Sequence, residues 1–459
     1  MNRNLAVFAI LMLSAAAAVG VASNGKPAAK TPAKATPVPM PSGYGFPTAK
    51  ATIDNWVQTN NEAEIRGHAW GVWAAMTSAS GEGTLPVWET WLASPDLKKK
   101  SLPPGGGALA AVQALRGANR VFATPVQFLH RVAKDQKAHA LLKLEAPAQV
   151  TRVTERFDPT AATFIMTPHP GPGGTDYKYN SHASLAALNN AWPTGTSAQD
   201  RAIVDFPDTA IETKPVFNLV YATGLTPLPY WQGPDNVVGG SGNKNPTEQT
   251  WFYCMLIDPA TTAPVRNATR TDLKRVPADR LHGLSCKYFK VGPLSLLYTT
   301  TLNAAEALSY GHGAKQGDHA AFVAMHVNTK EITFWTWQTF YWQPVADQGS
   351  TIQFPGSKSG QPTTLPSPWN NYAMCTNYNQ TATYGGTAMD VCFNPYLETD
   401  PGIPDGIHSN CMSCHGTATV GNSAGYPSEY TNPIAFFTDP TYFNSSTTHT
   451  DFSWEVADE

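Results

Sequence analysis

Charge is scarce in this 459-residue chain: Asp, Glu, Lys and Arg together make up 14% of it, and the formal net charge is −3 with histidine neutral. No basic excess is available to neutralise a phosphate backbone, so nucleic acid is not an expected partner. The one compact basic run, Lys98-Lys99-Lys100, reads as a solvated helix end. Beyond the N-terminal segment no apolar run is long enough to cross a bilayer, which removes a transmembrane architecture from the expectations. There is no repeat at a solenoid or propeller period. A catalytic triad motif, a phosphate-binding loop and a His-Glu-x-x-His helix are also missing, so the common hydrolase and nucleotide chemistries have no foothold. Cysteine is limited to six residues, and no methionine follows Met412. What the chain does hold is aromatic bulk, 11% Phe, Trp and Tyr including 13 tryptophans. That composition belongs to a large buried core and not to a disordered chain.

The N-terminus has the three parts of an export signal. Arg3 gives a positive start, Leu5 to Ala18 an apolar stretch, and Gly20-Val21-Ala22 small residues for cleavage after Ala22 or Ser23. Residues 1–22 are therefore expected to be a signal peptide, and loss of Arg3 would leave the remainder slightly more acidic. Residues 23–45, rich in Ala, Pro and Lys, carry little to bury and predict a disordered linker. Export implies an oxidising compartment, for which the bacterial periplasm is the expected location.

Hydropathy spacing divides residues 46–459 further, within what is expected to be a single large unit of α+β class. Residues 46–145 read as mainly helical. Trp56, Val57, Ile65, Ala69, Trp70, Val72 and Trp73 recur every three or four positions and predict one or two helices over 53–76, with His68 inside the pattern. Thr124-Pro125 is a cap and first turn for a helix running to about Glu145, and 181–192 is a third helix. Residues 146–370 read as β-rich, with short strands over 150–157, 250–257, 286–291 and 294–302. The clearest pattern is a hairpin, 320–327 with 332–342, turning around 328–330. Aromatics of both parities on its second strand predict burial on both faces, or one face against a large flat object.

Residues 371–459 carry the chemistry. Four cysteines, Cys254, Cys286, Cys375 and Cys392, suit two disulfides; neighbour pairing, 254 with 286 and 375 with 392, is expected, with the other connectivities and free thiols as alternatives. The remaining two lie in Cys411-Met412-Ser413-Cys414-His415. This is the C-x-x-C-H spacing of covalent haem attachment: two thiols reach the two vinyls of one porphyrin and the adjacent imidazole binds iron. A structural zinc site would need a second ligand pair, and none follows. A thioredoxin-like pair would be expected beside a βαβ pattern, whereas Pro, Gly and polar residues surround this one. One haem c is thus the expected cofactor, with Cys411 and Cys414 as thioether sites and His415 as the proximal iron ligand.

A small cytochrome c reaches its motif through a helix and supplies a downstream methionine. Here Pro401, Gly402, Pro404 and Gly406 forbid a long leading helix and no such methionine exists. The haem is therefore expected to be walled by the upstream body, and a second iron ligand to come from that body or from His449. His326 is the leading distal candidate because it lies on the aromatic hairpin, where alternation places Phe322 and Ala324 on its face and Met325 on the other; an empty or water-filled distal site is the alternative. A filled sixth position suits electron transfer with a redox partner protein, while an open one suits a haem oxidoreductase, a peroxidase or a redox or gas sensor.

On Asn410-Cys411-Met412-Ser413-Cys414-His415-Gly416, Phe437-Thr438-Asp439-Pro440-Thr441-Tyr442-Phe443 and Thr450-Asp451-Phe452-Ser453-Trp454, the chain resembles a bacterial family of large monohaem cytochrome-c-like proteins. In these, several hundred residues precede a late attachment motif. Weaker likeness runs through Pro86-Val87-Trp88-Glu89-Thr90-Trp91, Asp205-Phe206-Pro207, Ala210-Ile211-Glu212-Thr213-Lys214 and the His326 hairpin. The resemblance implies haem binding and electron transfer without naming a substrate. It supports Cys411, Cys414 and His415 in their expected roles.

Overall fold

Asn60 adopts a left-handed conformation (φ 49°), and that turn splits the helical pattern after Lys50 in two. The first helix, α1 (Lys50–Gln58), is followed by α2 (Glu62–Met76), whose start is capped by the Asn61 side chain accepting the Glu64 amide. Glu62 and Glu64 sit in its first turn, where negative charge is favoured by the helix dipole. The computed structural model describes residues 35–98, 102, 107–115, 120–125, 151–198, 200–345, 356–378, 391–399, 403, 405–416, 418–420 and 447–453. The segment expected to be a signal peptide, most of the helix expected over 124–145, Phe437–Phe443 and Trp454 lie outside the described residues. Among the described residues no helix is long and apolar enough to cross a membrane.

The fold is mixed α+β with a sheet-rich middle. The main sheet is built from β1 (Leu92–Ala93), β2 (Arg152–Val153), β3 (Arg156–Phe157) and β4 (Ile211–Val220). A second sheet takes β5 (Thr226–Pro229), β6 (Tyr253–Asp258), β7 (Arg266–Asn267) and β8 (Tyr288–Pro293). The main sheet is completed by β9 (Thr299–Thr301), β10 (His319–Thr329), β11 (Thr336–Trp342) and β12 (Tyr372–Asn377). Its strand order is β1-β3-β4-β10-β11-β12, with β2 also on β4 and β9 also on β10. The second sheet runs β5-β6-β8-β7, its β6 and β8 being parallel, and Cys254 of β6 is bonded to Cys286 just before β8.

Strand β4 is the longest-range organiser of the sheet and was not legible as a strand, because Glu-Thr-Lys-Pro interrupts it. Pro215 is tolerated for a local reason. Its carbonyl accepts the Thr154 amide, so its missing N–H faces the break between β2 and β3, where no ladder bond is lost. The hairpin also differs from the expectation: its strands are joined over 330–335, so Phe334 and Trp335 lie in the connection, and Trp335 has φ 61°. Strand β11 is buried at every position, as aromatics of both parities predict.

Helix α2 covers one face of this sheet. Trp73 stacks on Phe340 with ring centroids 4.1 Å apart and on Phe322 at 6.2 Å. Phe322 was expected to share the face of His326, yet it lies on the α2 face. A bulge between Phe322 and Ala324 inserts one residue and reverses the parity of everything before it. Also on that side His68 is held at both ring nitrogens, Nδ1 by the Tyr378 hydroxyl (2.9 Å) and Nε2 by Glu331 (3.2 Å), which makes it a buried structural residue. Helix α3 (His182–Ala191), capped by Ser181, matches the third expected helix.

Candidate functional site

The opposite face of the same sheet carries polar side chains. His326 pairs across the ladders with Lys214 and Thr339, and Asn328 with Glu212 and Trp337. Cys375 and Asn377 continue the row on β12. Polar groups here have partners in the C-terminal segment. Asn394 donates from Nδ2 to the Thr339 hydroxyl at 2.8 Å, and Glu398 Oε1 meets His326 Nε2 at 3.0 Å. The other Glu398 oxygen accepts the Asn394 amide at 2.5 Å, so the carboxylate is fixed at both ends.

The Cys375–Cys392 disulfide ties the same segment to the sheet edge. Cys392 in turn receives its neighbour, its amide donating to Ser409 and its backbone bridging to Asn410. The chain then enters α4 (Cys411–His415), a single helical turn. At helical spacing Cys411, Cys414 and His415 project to one side while Met412 turns away. Met412 is fully buried in a cluster with Trp335 and Trp337. The two thiols are half-buried and stand outside both disulfides. Burial, with the Glu398 carboxylate adding, pushes the Cys411 thiol far above its ordinary range. A redox-active C-x-x-C pair works by the opposite device, a thiolate stabilised near neutral pH.

His415 is oriented by the last described turn of the chain. Its Nδ1 donates to the Phe452 carbonyl at 2.8 Å, and its ring lies 4.3 Å from that of Trp337. An imidazole whose Nδ1 carries the proton presents the Nε2 lone pair, the arrangement metal-ligating histidines use. Burial lowers the His415 pKa to about 3; the Phe452 bond opposes this, and the nearby Lys214 ammonium reinforces it. The ring is therefore a neutral donor at physiological pH.

Phe452 is aimed by an unusual backbone. Asp451 and Phe452 are consecutive left-handed residues, with φ of 49° and 66°. Strain of this kind persists only where the surroundings hold it. The Asp451 carboxylate is paired with Lys330 Nζ at 2.6 Å and accepts the Phe206 amide at 2.9 Å. Its carbonyl accepts from Trp335 Nε1 at 2.8 Å, and the Ser453 hydroxyl donates to Glu212 at 3.0 Å. Burial raises Asp451 to about 6 and Glu212 to about 8.

Cys411, Cys414 and His415 share one turn, and His326 lies within electrostatic reach of His415. His449 is fixed through its backbone. Its backbone donates to Arg201 and accepts from Ile203, a rung that holds the terminal strap, and burial takes its ring pKa down to about 4. Glu398, Trp337, Lys214 and the Phe452 carbonyl escaped the sequence reading, because each acts through spatial neighbours with no motif. Among the described residues no group of three or more His, Cys, Asp or Glu side chains is arranged to hold a bare metal ion. Haem needs no such cluster, since the porphyrin supplies four of the iron's donors. The residues present fit that group: two thiols and one oriented neutral imidazole on one side of a single turn.

Removing the clamp tests its role in the site. The Cys375→Ala, Cys392→Ala double variant is expected to lose about 3 kcal/mol, the entropy cost of a loop of this size, and to unfold at lower urea than the oxidised wild type. Reducing the wild type opens Cys254–Cys286 as well, so its midpoint should fall at least as far, and a double variant that keeps the oxidised wild-type midpoint would show the clamp to be idle. No family model, curated protein or solved structure matches the chain.

Proposed function

We propose that this chain is an exported c-type cytochrome, carrying one haem c on Cys411 and Cys414 with His415 as proximal iron ligand, and passing electrons to a redox partner protein. The observation that carries the reading is the bond from His415 Nδ1 to the Phe452 carbonyl, which spans 37 positions of sequence to fix one tautomer of the residue that ends the C-x-x-C-H turn. Bound there, haem supplies a one-electron iron couple. The chain's own residues do the rest. Cys411 and Cys414 fix the group by two thioethers, and His415 presents its Nε2 lone pair. Met412, Trp335 and Trp337 pack under one side of the turn as part of a buried cluster. Two disulfides support an oxidising compartment, in keeping with the export signal and its periplasmic destination. The resemblance to large monohaem cytochrome-c-like proteins supports the same reading.

Expression with a haem-attachment system and purification of the full chain provides the test. One haem per chain is expected, reversibly reducible and still on the polypeptide after denaturation. A properly exported, folded chain that carries no haem would overturn the reading.

A further inference from the structure

We propose that His326, held by Glu398, is the second axial ligand of the iron carried by His415, so that the centre is six-coordinate with two imidazoles. This rests on the haem reading above. The first argument is an orphaned atom. His326 Nε2 is engaged with Glu398 Oε1 at 3.0 Å, whereas its Nδ1 is buried and has no hydrogen-bond partner among the described residues. A carboxylate only accepts, so in the neutral ring that a ligand requires the proton sits on Nε2 and the lone pair on Nδ1. Buried polar atoms are nearly always satisfied, and a lone pair left open in the interior calls for a ligand.

The second argument is placement. Trp337, which packs against the His415 ring, is the diagonal neighbour of His326 on the same sheet face, a separation of about 7–8 Å in antiparallel ladders. His326 lies within electrostatic reach of His415, and Glu398 within that of Cys411. The pair therefore borders both the iron ligand and a thioether site. The two imidazoles are prepared alike, each with one nitrogen held by an oxygen acceptor and the other left as a donor. Three other histidines are committed elsewhere: His68 at both nitrogens, His169 to the Phe164 carbonyl and His408 to Asp405.

Ligation is a lone-pair donation from Nδ1. Nε2 keeps its proton on Glu398, so no proton or electron is released. The carboxylate makes the imidazole a stronger donor, which favours ferric iron. With both axial positions filled there is no open site for peroxide or oxygen, and outer-sphere electron transfer is what remains.

The test uses the haem-loaded full chain. Ferric wild type is expected to be fully low-spin by paramagnetic resonance and optical spectroscopy, and its ferrous form to ignore carbon monoxide. His326→Gly is expected to become predominantly high-spin and to bind carbon monoxide, and added imidazole to restore the low-spin spectrum. Glu398→Gln should stay low-spin with a raised midpoint potential. Should the glycine variant not fold, the near-infrared magnetic circular dichroism of the wild type decides, since its charge-transfer band distinguishes bis-imidazole from imidazole–amine ligation by Lys214. A haem-bearing wild type that is high-spin, or a His326→Gly variant that stays low-spin without imidazole, would overturn this inference and leave the haem reading standing. A denatured chain without haem would overturn both.

Discussion

Alanine at both Cys411 and Cys414 is expected to abolish covalent haem, reducing the haem retained by the denatured chain from one per polypeptide to none. The thioethers are the only bonds proposed to survive unfolding, because axial coordination by His415 depends on the folded position of Phe452. The single variants should retain one thioether and display the shifted absorption of a haem with one unreacted vinyl. Stability is the control. Both cysteines lie on a single turn and are only half-buried, so alanine removes little packing, and the apo-protein should unfold near the wild-type apo midpoint. Haem still fixed to a denatured chain lacking both thiols would remove the attachment reading altogether.

The second large effect is expected away from the thiols, at the turn that aims the Phe452 carbonyl. Asp451→Ala should destabilise the protein by about 3–5 kcal/mol, the usual consequence of removing one partner from a buried ion pair. Lys330 and Asp451 side chains are only 3% and 5% exposed, and after the change Lys330 Nζ keeps the Thr333 carbonyl at 2.8 Å as its remaining recorded partner. The Phe206 amide loses its acceptor as well. Alanine also tolerates the left-handed backbone at this position less well than aspartate does. Urea unfolding measures the loss. Adding Lys330→Met should recover part of it, since the stranded charge is then gone. Because Phe452 follows directly, the haem-loaded Asp451→Ala protein should also show an altered ferric spectrum as the His415 ring loses its fixed acceptor. An unchanged urea midpoint would show that the pair does not hold the turn.

Much of this site lies on short-range signals. The C-x-x-C-H turn, the two neighbour-paired disulfides, the split helices over residues 50–76 and the aromatic hairpin all depend on residues near in sequence, and each was readable there. Parity along β10 was not. Alternation assigns Phe322 to the face of His326, and a bulge of one residue moves it to the face of Trp73. A bulge is chosen by how two strands register against a third, and the local residue types carry little trace of it. Strand β4 was hidden for a similar reason: Pro215 contradicts a central strand unless its neighbours leave a gap at that point, and β2 and β3 do.

The sequence by itself determined that two thiols and an imidazole stand on one helical turn, because a spacing of three and four residues is one turn of any α-helix. Only the tertiary structure decided what that turn faces. Glu398, Trp337 and Phe452 come from segments up to 115 positions apart and meet because a sheet face, a disulfide and a strained terminal turn hold them there. The tautomer of His415 and the open nitrogen of His326 follow from those long-range contacts. No pattern along the chain encodes the distance between two side chains that only folding brings together.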